Sequence, residues 1–170
     1  ADSDAATVCW QMAMENMDTP TALIFSRQNV KSLPEGTNYE GTRKGAYIVK
    51  GSDEDYDVIL AASGSEVSTC VDGAELLRKD GIKVRVVSAP SEGLFRRQSK
   101  EYQEEILPKN AKIFGLTAGL PVTLEGLVGT NGKVFGLNSF GFSAPYKVLD
   151  EKLGFTPENL YKQVKEYLAQ

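Results

Sequence analysis

Residues 58–81 read Val58-Ile59-Leu60-Ala61-Ala62-Ser63-Gly64-Ser65-Glu66-Val67-Ser68-Thr69-Cys70-Val71-Asp72-Gly73-Ala74-Glu75-Leu76-Leu77-Arg78-Lys79-Asp80-Gly81. Val58–Ala62 is apolar without alternation, as in a strand covered on both faces. A polar turn follows. Val67, Cys70, Val71, Ala74 and Leu77 then recur at helical spacing over Ser65–Asp80, and Gly81 supplies the C-terminal stop. A doubly covered strand running straight into an amphipathic helix is half of a βαβ unit.

Downstream the alternation continues. Strands are predicted at Val84–Val87, Ile113–Leu116 and Val134–Leu137, with a helix at Lys100–Ile106. Ala144–Lys152 reads as a helix with Ser143 as N-cap and Gly154 as stop. Thr156-Pro157 caps and opens a last helix, whose inward stripe is Leu160, Tyr161, Val164 and Leu168. Upstream, Ala46–Val49 is a short strand. Strands alternating with helices predict a three-layer α/β/α fold around a mainly parallel five-stranded sheet with right-handed crossovers. Residues 45–170 hold that whole pattern, so they form a domain. Lys31–Lys44 is polar, with Pro34, Gly36 and Gly41, and residues 34–44 read as a linker. Residues 1–33 carry a helix over residues 4–17, with Ala6, Cys9, Ala13 and Met17 on its stripe and Trp10 and Met14 widening it. A strand at Thr21–Phe25 follows. They form the end of a preceding domain whose sheet lies elsewhere.

The chain has 170 residues, 41% of them hydrophobic, and a net charge of −4. It can build a core. No dense run of Lys or Arg marks it for nucleic acid, and no apolar run approaches the roughly 20 residues that span a bilayer. Cys9 and Cys70 form neither a CxxC nor a disulfide framework, so reduced thiols in a cytoplasmic protein are expected. The chain has no histidine. Histidine acid–base chemistry, a Ser-His-Asp triad and a His metal site are all excluded within it. It begins at Ala1, inside the predicted helix, which reads as a designed or proteolytic fragment.

Four places invite function. Arg27, at the carboxyl end of the strand Thr21–Phe25, holds a planar fork suited to a phosphate; the other reading is an ion pair between two elements. The turn Ser63-Gly64-Ser65-Glu66 opens a helix, where free N–H groups bind anions. Ser63 and Glu66 also match a capping box, which would occupy those groups. In the loop Ser139–Pro145, Phe142 either packs in the core or contacts another domain or subunit. The acidic clusters Asp53-Glu54-Asp55 and Glu104-Glu105 lack an EF-hand pattern and read as solvated charge.

Several blocks carry a resemblance. "PTALIFSRQNV" (Pro20–Val30), "ASGSEV" (Ala62–Val67), "VRVVSAPS" (Val84–Ser91), "FRRQSKEYQEEILP" (Phe95–Pro108), "SFGFSAP" (Ser139–Pro145) and "LGFTPENL" (Leu153–Leu160) resemble, in order and spacing, the end of the pyrimidine-binding domain and the C-terminal domain of transketolases. The tetrad Ser26-Arg27-Gln28-Asn29 is the most family-specific piece. The resemblance implies an enzyme that moves a two-carbon ketol unit from a ketose phosphate to an aldose phosphate. It implies thiamine diphosphate with a divalent metal (Mg or Ca), active sites between two subunits of a homodimer, and one antiparallel strand in the sheet, for which Ala46–Val49 is the candidate. Arg27 falls on the family's substrate-phosphate ligand, with Ser26 and Gln28 as local support. The cofactor motif, the catalytic glutamate and the histidines of the family are absent here, so the fragment alone is expected to be inactive. Leu116-Thr117 stands where relatives often carry an acidic residue, and no function of that residue carries over. A related enzyme such as dihydroxyacetone synthase, and a noncatalytic anion-binding or dimerisation domain, are the alternatives.

Overall fold

The run Val58–Ala62 is a strand buried at every position, and the rest of the fold follows from covering both of its faces. The computed structural model describes residues 1–33, 36–51 and 55–170. In chain order its elements are α1 (Ser3–Glu15), α2 (Tyr39–Lys44), β1 (Tyr47–Lys50), β2 (Val58–Ala62), α3 (Glu66–Lys79), β3 (Val84–Ser88), α4 (Glu92–Arg96), α5 (Lys100–Ile106), β4 (Ile113–Leu116), α6 (Val122–Val128), β5 (Lys133–Phe135), α7 (Tyr146–Leu153) and α8 (Pro157–Leu168).

Among the described residues the sheet has five strands in the order β1-β3-β2-β4-β5. β2 runs parallel to β3, with Val58 opposite Val84, and parallel to β4, with Ile59 opposite Ile113. β5 is parallel to β4, and β1 is antiparallel to β3, with Tyr47 opposite Ser88. The predicted fold class and its antiparallel first strand are therefore both observed.

Side chains alternate across a strand, and this splits β2 between two cores. Val58, Leu60 and Ala62 pack with Val67, Cys70, Ala74 and Leu77 of α3 and Leu160 and Val164 of α8. Ile59 and Ala61 pack on the other face with Phe95, Ile106, Leu124 and Leu127, from α4 to α6. Each large side chain so buried contributes roughly 1.5–3 kcal/mol. α3 and α8 approach closely at Gly73, where an added Cβ would lie 2.8 Å from Leu160 Cδ2. Thr156 caps α8 by accepting from the Asn159 N–H, and Gly154 ends α7 in the left-handed region, at φ 84°.

Several expectations are corrected. The segment Thr21–Phe25 forms no strand: it has no backbone hydrogen bond to a neighbouring strand among the described residues, and a ladder needs one. α1 ends at Glu15, and its fully buried residues are Ala5 and Val8. Trp10, Met14 and Met17 are exposed. Part of the predicted linker is helical. Asn38 caps α2 by accepting from the Gly41 N–H, and Gly45 closes it at φ 91°. α7 begins at Tyr146, so Ser143 is not its cap. The residue before a proline is driven out of the helical region, and Pro145 therefore excludes Ala144 from the helix.

Candidate functional site

The topology has one reversal. β2 passes through α3 to β3 on one side, whereas β4 passes through α6 to β5 on the other, with α3 and α6 on opposite faces. The chains leaving β2 and β4 diverge there. A crevice opens at the carboxyl ends of these strands, the place where open α/β sheets gather ligands. Here it is a cleft of about 500 Å³. Its floor is Ser63–Glu66 after β2 and Thr117-Ala118 after β4. α7 and Phe142 form one wall, and the arm residues Ile24–Gln28 lie across its mouth.

Arg27 is exposed and makes no ion pair among the described residues. The reading of Arg27 as a structural ion pair finds no partner here. Its neighbour Ser26 donates from Oγ to Ser65 Oγ at 3.3 Å. Ser65 in turn donates to Glu66 Oε1 at 2.7 Å. Gly64 sits at φ 64°, and the nearest atom an added Cβ would meet is Ser26 Oγ, at 3.6 Å. The cleft thus brings together Arg27, Ser63, Gly64 and Ser65. Sequence reasoning placed these residues in separate sites. The Ser26–Ser65 contact that joins them spans 39 positions, and no local pattern announces it.

Glu66 changes the electrostatics of the turn. Burial pushes its carboxyl up, and Asp150 adds repulsion, against hydrogen bonds from Ser65 and from the N–H groups of Glu66 and Ala118. Burial also pushes Asp150 up. The capping box does not form: Ser65 precedes the helix, and no side chain caps it. The serine hydroxyl that would cap is turned to Glu66 instead.

The remaining candidates resolve simply. Phe142 is 65% exposed, so it does not pack in the core. Asp53 and Glu54 lie outside the described residues, while Asp55 is 3.9 Å from Lys83 Nζ. Glu104 accepts from the Lys109 N–H. Among the described residues no cluster of three or more His, Cys, Asp or Glu could hold a metal ion, and no helix is long and apolar enough to cross a membrane. Cys70 is buried and Cys9 half-buried, both as free thiols. Burial pushes both thiols up.

The mixed five-stranded sheet, covered on both faces and open at its switch point, defines a three-layer α/β domain of the doubly wound class. Within that class the chain belongs to the transketolase-like TK C-terminal domain family, whose profile matches residues 45–156. It is 45% identical over 167 residues to a transketolase of Staphylococcus aureus (strain MW2), a match that covers 96% of this chain and 25% of the relative. It is 42% identical to transketolase 2 of Vibrio parahaemolyticus serotype O3:K6, covering 99% of this chain and 26% of the relative. Among solved structures it is similar to the Pichia stipitis transketolase in complex with sedoheptulose 7-phosphate. That match has a TM-score of 0.91 and 32% identity, over 99% of this chain and 24% of that one. The chain spans about a quarter of the length of the curated relatives it matches.

Proposed function

We propose that this chain is the C-terminal portion of a transketolase, which transfers a two-carbon ketol unit from a ketose phosphate to an aldose phosphate, and that Arg27 binds the substrate phosphate. The observation that carries the reading is an arginine without an ion-pair partner among the described residues, set in the family tetrad Ser26-Arg27-Gln28-Asn29, at the mouth of a cleft in a domain of this family. Arginine presents paired N–H donors that fit two phosphate oxygens. Ser63, Gly64 and Ser65 form a second, weaker anion contact. Of these, Gly64 is the open position, because the Ser65 hydroxyl is already given to Glu66.

Residues 1–33 are assigned to the end of the pyrimidine-binding domain, 34–44 to a linker and 45–170 to the C-terminal domain. The enzyme's thiamine diphosphate and its Mg or Ca ion do not fit the residues in hand, since the described acidic groups form no metal cluster. Both belong to the remainder of the longer chain. The proposed partners are that remainder, a second copy and sugar phosphates, in the cytoplasm.

The test is Arg27→Ala in the longer enzyme, assayed for ketol transfer to phosphorylated and unphosphorylated acceptors. A charge-assisted hydrogen bond contributes roughly 1.5–3 kcal/mol, so kcat/KM for the phosphorylated acceptor is expected to fall about 10- to 150-fold. The loss should lie mainly in KM if ground and transition states share the contact. Arg27→Lys should recover part of it. Equal losses on both acceptors would remove the phosphate role.

A further inference from the structure

The arm that carries Arg27 has little of its own to hold it in place. Residues 21–30 belong to no helix or strand, and Ile24 is 95% exposed. A ligand-binding arginine on such a segment loses affinity to the ordering of the segment. Among the described residues the tetrad has one side-chain hydrogen bond to the domain, from Ser26 to Ser65.

That bond has a direction, and Glu66 sets it. A serine hydroxyl has one proton to give. Ser65 gives its proton to Glu66 Oε1, so its oxygen is left to accept, and Ser26 is the group that donates to it. Glu66 is itself fixed at the first turn of α3, and it lines the cleft together with Ala118 after β4. The carboxylate thus ties the arm to the turn between β2 and α3. It makes no ion pair with Arg27, whose guanidinium has no salt-bridge partner among the described residues.

We infer that Glu66 is a positioning residue for Arg27, acting through the hydrogen-bond chain Glu66–Ser65–Ser26. The inference rests on the phosphate-binding reading of Arg27 given above. Glu66 touches no substrate in this scheme. Its contribution is to keep Ser26, and with it the next residue, at the mouth of the cleft.

Two measurements test it. The first uses this chain and no catalysis: ¹⁵N heteronuclear NOEs of Ser26, Arg27 and Gln28. In Glu66→Ala these should fall toward free-coil values, and Glu66→Gln should largely preserve them, because its Oε1 still accepts from Ser65. Ser26→Ala breaks the same link from an exposed position, and should reproduce the loss even where Glu66→Ala fails to fold. The second uses the longer enzyme. Glu66→Ala should raise KM for a phosphorylated acceptor about 2- to 12-fold, the range of one ordinary hydrogen bond. The value of kcat and the kinetics with unphosphorylated acceptors should hold. In an Arg27→Ala background Glu66→Ala should add nothing. Unchanged NOEs in both Glu66→Ala and Ser26→Ala would overturn the link. An undiminished KM effect without Arg27 would overturn the positioning role while leaving the phosphate reading intact. Equal losses on both acceptors in Arg27→Ala alone would overturn the phosphate reading, and this role with it.

Discussion

Asp2→Ala would show whether helix α1 is part of the cooperative fold or a docked appendage. Asp2 is 5% exposed. Its carboxylate accepts from the Ala5 N–H at 3.0 Å, which caps α1, from the Leu33 N–H at 3.1 Å, and from the Thr37 hydroxyl. Losing such a cap costs about 0.5–2 kcal/mol, and leaving the Leu33 N–H unpaired costs about 1–3 kcal/mol. Together they set a gross penalty of about 1.5–5 kcal/mol. The molecule can avoid part of that penalty by letting α1 go. The helix buries Ala5 and Val8 fully, and Val8 contributes roughly 1.5–3 kcal/mol; the surface pair Arg43–Glu15 adds little. Release of α1 is therefore the expected response. Trp10, the one tryptophan, lies on α1 against Phe25, so its fluorescence reports the arm while far-UV circular dichroism reports the whole. The fluorescence transition should move well below the dichroism transition. The latter should shift by less than about 4 °C, the size of 1 kcal/mol in a domain of this length. Both probes falling together by about 8 °C or more would refute the reasoning and make α1 part of the core. The effect has a pH signature. Burial pushes the Asp2 carboxyl up, but hydrogen bonds from Ala5, Thr37 and Leu33 outweigh it and leave it below its ordinary 3.8. A lowered value means that the stabilisation is present above that ordinary value and lost as pH falls through the lowered one. Wild type and Asp2→Ala should converge in acid.

Other outcomes are expected. This chain alone, given thiamine diphosphate and Mg²⁺, should show no ketol transfer above background; turnover from pure protein would contradict the assignment of the cofactor site to the rest of the enzyme. Phosphate titration should shift the Gly64 amide only at high concentration, because Glu66 sits beside it, and absence of any shift at Gly64 and Ser65 would remove the second anion contact. Gly73→Ala should lower the thermal midpoint, since its Cβ would meet Leu160 Cδ2 at 2.8 Å; forcing α3 and α8 apart costs about 1–3 kcal/mol, and an unchanged midpoint would show that Leu160 yields freely.

The domain was readable where the code is local. Val58–Ala62, Lys100–Ile106 and Ile113–Leu116 fall where apolar runs and helical spacing put them, because burial on both faces writes itself into composition. The short helices α2, α4 and α6 were not read. α2 and α4, at six and five residues, barely exceed one turn, and Gly126 interrupts the pattern of α6. Thr21–Phe25 shows the opposite failure. Its composition is that of a strand, but a strand exists only beside a partner. At the site, Arg27 and the Ser63–Ser65 turn were each legible as chemistry. Their union was not, since it depends on how the arm folds back over the sheet. Glu66 shows the same limit: the sequence has the spacing of a capping box, but not the rotamer that sets its carboxylate against the Ser65 hydroxyl.

The antiparallel setting of β1 decides where everything before it arrives. Tyr47, its first residue, stands beside Ser88, the last of β3. The chain therefore enters the domain at the carboxyl edge, the edge with the crevice. Had β1 run parallel to its neighbour, the same segment would enter about 10 Å away, at the far end of a four-residue strand, and the arm would face the opposite edge of the sheet. One reversed strand thus works as an address. It delivers the preceding segment, arginine included, to the edge of this sheet where the chains leaving β2 and β4 diverge.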